Sequence, residues 1–145
     1  MKQTYILENR MDIATTKSGA LFLKTPPLTG PIQLTARFTC SAGPIIPSIL
    51  EDYSFVGGAT LPAVNINRNI GKTSAVIVKG LADASAVAGA AALTLVTRHV
   101  VGSSTDPQKL SQEPISLKPD TNYLLVFPNS NAGTVTVSYM LSWKE

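Results

Sequence analysis

The sequence predicts an all-β chain folded as an antiparallel β-sandwich, jelly-roll-like, with about eight strands. Three observations carry this reading. Short apolar or alternating runs recur, separated by Gly, Pro, Asn and Asp turn signals. No segment holds the 3.6-residue period of a long amphipathic helix, which argues against βαβ folds. Residues 134–143 alternate strictly. Val135, Val137, Tyr139, Leu141 and Trp143 face one way; Thr134, Thr136, Ser138, Met140 and Ser142 face the other.

Taken in order, residues 1–18 are mixed and polar without a clear period. They are read as an N-terminal arm, with one sandwich domain over 19–145. Ala20–Thr25 is a short strand, closed by Pro26-Pro27 and the Thr29-Gly30-Pro31 turn. Ile32–Cys40 alternates cleanly, with Ile32, Leu34, Ala36, Phe38 and Cys40 inward. Ile49–Val56 is a strand ended by Gly57-Gly58. Thr60–Lys72 is a long polar connection with Asn65, Asn67, Arg68 and Asn69 at its centre. Ser74–Lys79 is a short apolar strand.

Leu81–Ala90 is rich in alanine but too short for a self-sustaining helix, and is read as a loop with at most one helical turn. Ala91–Val101 is a strand, Gly102–Lys109 a polar loop, and Leu110–Leu117 a strand bounded at Pro114. Thr121–Phe127, led in by Lys118-Pro119-Asp120, is expected to pair with Thr134–Trp143 as a hairpin across the Asn129–Gly133 loop. Phe38, Tyr139 and Trp143 are the expected core anchors.

Composition narrows the function. Of 145 residues, 44% are hydrophobic and only 14% charged, against roughly 25% charged in an average domain. Ser, Thr, Asn, Gln, Ala and Gly must cover the surface, a composition that suits a protein lying against neighbours in a shell. The net charge is +3, but the twelve basic residues are scattered. Nucleic-acid binding calls for clustered positive charge with aromatic stacking partners, so no nucleic acid partner is expected. Cys40 is the sole cysteine, which rules out an intrachain disulfide; its inward position predicts a buried, inert thiol. The first residues, MKQTYILENR, lack the apolar core of a secretory signal, and no apolar run is long enough to span a bilayer. A cytoplasmic origin and no membrane partner are expected.

The chemistry-bearing residues do not assemble into a catalytic set. His99 is the only histidine, and its strand offers no nucleophile and acid beside it. Glu51-Asp52 would point to opposite faces of a strand and is read as a solvated edge. Gly71-Lys72-Thr73 lacks the earlier glycine of a phosphate loop, since position 66 is Ile66. No enzyme activity, cofactor or metal is expected. The Asn65–Asn69 stretch, NINRN, is read as either a loop pinned to the sandwich or part of an intersubunit contact through Arg68.

The Gly57-Gly58 turn, the NINRN loop and the run Leu117, Lys118, Pro119, Asp120, Thr121, Tyr123 and Leu124, with Trp143 and Glu145 at the end, resemble the head decoration (cement) proteins of tailed bacteriophages of jelly-roll type. The resemblance covers roughly residues 50–145, and Lys144 departs from the aromatic expected beside the tryptophan. It implies a non-enzymatic virion protein that binds the major capsid protein on the outer surface of an icosahedral head. It would stabilise contacts between coat subunits, acting as a homotrimer or a dimer whose weak contacts sum by avidity. On that reading the arm, with Tyr5 and Arg10, contacts the coat, and Asn65, Asn67, Arg68 and Asn69 contribute to an interface. The competing reading is a jelly-roll module that recognises a glycan or host surface receptor. Trp143, on an apolar strand face, speaks against it, while Tyr5 and Tyr53 leave it open.

Overall fold

The computed structural model describes residues 2–27, 30–52, 58–67, 71–83, 93–97 and 107–145, with the side chains of 93–97 set aside. Twelve strands are described: β1 Thr4–Ile13, β2 Ser18–Lys24, β3 Ile32–Cys40, β4 Ser48–Glu51, β5 Ala59–Leu61, β6 Val64–Asn65, β7 Ile77–Leu81, β8 Leu93–Thr97, β9 Gln108–Lys109, β10 Ile115–Leu117, β11 Asn122–Pro128 and β12 Val135–Lys144. Most of the excess over eight comes from β5, β6 and β9, pairings of only two or three residues.

The strands form two antiparallel sheets. The first runs β10-β3-β12-β1-β6, with β9 also on β3; the second runs β5-β7-β2-β11-β4-β8. Setting aside β5, β6 and β9 and the added strand β7, which extends the second sheet beyond β2, leaves β10-β3-β12-β1 opposite β8-β4-β11-β2. The first strand pairs with the last, and the chain changes sheet at every step from β1 to β4. This is the order of a jelly roll, two interlocked Greek keys.

Alternation drives the first sheet. β3 and β12 bury every second residue, and one apolar cluster joins Leu34, Phe38, Leu141 and Trp143 of this sheet to Leu21, Leu23, Leu125 and Phe127 of the other. Phe38 meets Phe127 edge to face, with centroids 5.5 Å apart and planes at 79°. Truncating either ring would cost about 3–5 kcal/mol. The second sheet behaves differently. Ala20, Phe22 and Leu124 lie on its outer side, apart from the central cluster, yet are also buried. This explains why GALFL in β2 reads as a continuous apolar run. Among the described residues, the first sheet presents a broad solvated face.

Several expectations are corrected. Residues 4–13 are not an arm: β1 pairs along its whole length with β12, from Thr4↔Lys144 to Ile13↔Val135. Tyr5, Leu7, Met11 and Ile13 do alternate inward, but polar Asn9 occupies the inward position between Leu7 and Met11 and hides the period. The expected C-terminal hairpin does not form. β11 pairs with β2 and β4, β12 with β1 and β3, and residues 129–134 cross from one sheet to the other.

Asn129 holds that crossover. It is 3% exposed, and its Nδ2 donates to the Ile13, Ala14 and Gly133 carbonyls at 2.8, 3.2 and 2.9 Å. Elsewhere, the polar connection Thr60–Lys72 contains β6 and most of β5, the strand expected at Ser74–Lys79 runs instead from Ile77 to Leu81, and the one expected over Ile49–Val56 is described as Ser48–Glu51. Gly58 sits at φ 82, a conformation glycine adopts without strain. Tyr53, Arg68, Asn69 and His99 lie outside the described residues, as does most of the expected loop Leu81–Ala90.

Candidate functional site

The outer face of the first sheet is built from cross-strand rows. Ile6, Ser142 and Thr35 form one; Glu8, Met140, Arg37 and Lys109 the next; Arg10, Ser138 and Thr39 the third. Short hydroxyl side chains beside long ones leave hollows. The larger, about 540 Å³, is bounded by Glu8, Arg10, Arg37, Thr39, Ser138, Met140 and Pro107. A second, about 220 Å³, lies among Thr4, Gln33, Thr35, Pro114, Ser142 and Lys144. At the β6 edge, Val64 pairs with Ile6, and Val64 and Ile66 are 51% and 52% exposed. The face thus grades from an apolar edge through hydroxyl residues to a pair of arginines.

Among the described residues, the ion pairs are Lys17–Asp83 at 3.4 Å and Lys118–Glu51 at 2.6 Å, so Glu8, Arg10 and Arg37 belong to neither. The Arg37 Nε–H is buried with no acceptor among the described residues. Among the described residues, β6 pairs only with Tyr5 and Ile6 of β1. Glu8, Arg10 and Asp12 place charge along it, and Asn9 Oδ1 accepts from the Arg10 backbone N–H at 2.8 Å. Charges and a self-capping amide discourage pairing with a foreign strand.

The expected site residues scatter. Tyr5 is a core ring, 2% exposed and stacked on Trp143 at 6.1 Å, with its hydroxyl donating to the Thr73 carbonyl at 3.3 Å. It cannot serve as an interface residue, because its inward strand position carries it under the sheet. Asn65 pins the connection. Its Nδ2 donates to Lys72 O at 3.3 Å and its Oδ1 accepts from Asn67 N at 3.0 Å. Arg10 alone of the described candidates lies on the outer hollow. Phe38, Tyr139 and Trp143 are buried. The residues that sequence reading missed are Glu8, Arg37, Ser138 and Met140. The outward positions of β3 and β12 were legible as solvent-facing, but not as neighbours across three strands.

The remaining reactive groups are occupied. Glu51 is 4% exposed rather than at a solvated edge, because β4 lies between β11 and β8. Its Oε1 accepts from Lys118 Nζ and its Oε2 from the Tyr123 hydroxyl at 3.1 Å. The Lys118 bond holds its carboxyl below the usual range despite burial. At the chain end, burial raises the Glu145 carboxyl. Donors from Ser74 Oγ, Ala75 N, Trp143 Nε1 and Val76 N outweigh this and lower it. Burial pushes the Cys40 thiol up, away from the reactive thiolate. Among the described residues no three His, Cys, Asp or Glu gather as metal ligands, and no helix is long and apolar enough to cross a membrane.

Comparison with known proteins adds no relative: no family model, no curated protein and no solved structure matches the chain.

Proposed function

We propose that the protein is a non-enzymatic virion surface protein of the phage head decoration type. It binds the major capsid protein on the outside of an icosahedral head, stabilises contacts between coat subunits, and acts as a homo-oligomer. One observation carries the reading. The face formed by the three longest strands, β1, β12 and β3, is open to solvent, mixes Ser, Thr and Gln with Glu8, Arg10, Asp12, Arg37 and Lys144, and is apolar along the Ile6–Val64–Ile66 edge. Such a face suits broad contact repeated by symmetry. The Leu117–Leu124 run and the Trp143/Glu145 ending supply the family resemblance. With β1 inside the sandwich, the coat-contacting role passes from residues 1–18 to this face.

The test is to mix purified protein with undecorated phage heads. Saturable binding at fixed stoichiometry is expected. Val64→Asp, on the exposed edge, should weaken it at least about tenfold, or ~1.4 kcal/mol, with the melting temperature unchanged. No binding to heads, or binding to a glycan array instead, overturns the proposal. Trp143 and Tyr5 are 1% and 2% exposed, so neither ring is available as a sugar platform.

A further inference from the structure

We propose that the larger hollow on the first sheet is a carboxylate-binding site, which takes an aspartate or glutamate side chain from an extended, apolar-flanked peptide between Arg10 and Arg37. The inference goes beyond the virion reading and does not depend on it.

Arg37 is the first observation. Its Nε–H is buried and has no acceptor among the described residues, and the residue lines the hollow. A buried donor left unpaired costs about 1–3 kcal/mol, so an arriving acceptor is favoured. Nε–H together with a neighbouring Nη–H forms the planar fork that a carboxylate fills with both oxygens.

Arg10 is the second. It bounds the same hollow from β1, with β12 between it and Arg37. Two strand spacings and an offset of one row separate the arginines at their backbones, about 12 Å, a gap two long side chains can close on one anion. Ser138 and Thr39 add hydroxyl groups beneath, while Met140 and Pro107 supply apolar wall. A hollow of about 540 Å³ lies within the range of ligand sites, roughly 300–1,000 Å³.

Charge selects the ligand class. Glu8 on the rim offsets part of the positive charge of Arg10, Arg37 and the neighbouring Lys109, so the site attracts an anion. The Glu8 carboxylate repels a phosphate dianion more than a monoanionic carboxylate. The apolar wall favours a carboxylate carried on a peptide over a free, hydrated one.

The test is a titration of ¹⁵N-labelled protein, following the arginine Nε–Hε signals. The probes are acetyl-Leu-Glu-Leu-amide, its Gln counterpart and inorganic phosphate. The Glu peptide should give saturable shifts at Arg37 and Arg10, with the Gln peptide at least about tenfold weaker. Arg37→Lys keeps the charge but loses the fork; it and the exposed-site change Arg10→Gln should each weaken binding about tenfold. Lys24→Gln, at the far end of β2, should leave it unchanged. Absence of saturable shifts, equal binding of the Gln peptide, phosphate binding as tightly as the Glu peptide, or indifference to both arginine changes would each overturn the proposal.

Discussion

Lys118 Nζ lies 2.6 Å from Glu51 Oε1, an exposed ammonium closing over a buried carboxylate. Tyr123 joins them. Its hydroxyl donates to Glu51 Oε2 at 3.1 Å and accepts from the Lys118 backbone N–H at 2.8 Å. Thr25 ties the same turn from β2, donating to Lys118 O at 2.6 Å and accepting from Thr121 N at 2.9 Å. The Leu-Lys-Pro-Asp-Thr run is therefore a clasp between β10 and β11, with Asp120 at φ 48 turning the chain.

This clasp predicts an acid limb in stability. The folded Glu51 carboxyl sits below its usual value of 4.5, so its contribution is present above that pH. It is lost as pH falls from there through the lowered folded value. Glu145, lowered in the same direction, adds to the effect. Urea midpoints measured from neutral pH into acid should fall below about pH 4.5. Glu51→Gln should flatten part of that slope and cost about 1–3 kcal/mol at neutral pH. An unchanged slope would refute the assignment.

Asn129 is the keystone of the β11–β12 crossover. Asn129→Ala leaves carbonyls of Ile13, Ala14 and Gly133 without their donor and should cost about 1–3 kcal/mol. Asn129→Asp should cost more, because a carboxylate would face the same carbonyls. Denaturant midpoints at neutral pH check both.

Gly19 touches β1 closely. A Cβ there would collide with Met11 Sδ and lie 2.8 Å from Ile13 Cδ1. Gly19→Ala should destabilise by about 1–3 kcal/mol through overpacking. Met11→Ala in the same chain should recover part of that loss, and a double-mutant cycle reads the coupling. Additive costs would show that the two sites do not meet.

Removing residues 2–13 deletes the strand between β12 and β6. The truncated chain should lose cooperative unfolding and the buried Trp143 environment, read as a red shift of its emission, since Tyr5 stacks on that ring. A cooperative transition in the truncated chain would restore the arm reading.

Much of the fold was legible because one buried face imposes a period of two. Ile32–Cys40 and the inward set Val135 to Trp143 needed no tertiary information, and the expected burial of Phe38, Tyr139, Trp143 and Cys40 follows from the same pattern. The reading failed where that period was interrupted or doubled. Asn9 broke it in β1, and burial on both sides erased it in β2. Glu51 looked solvated because a carboxylate next to Asp52 gives no hint of a lysine and a tyrosine 67 and 72 residues away.

The sequence by itself determined the strand class, the core anchors, the sparse charge and the absence of a legible catalytic set, because each follows from local pattern or composition. Only the tertiary structure decided which strands are neighbours. It set β1 against β12, sent β11 and β12 to opposite sheets, and brought Arg10 and Arg37 to one hollow across β12. Strand alternation tells which way a side chain points but not what lies beside it. Pairing between distant strands is chosen by the packing of the whole core, which no single segment encodes.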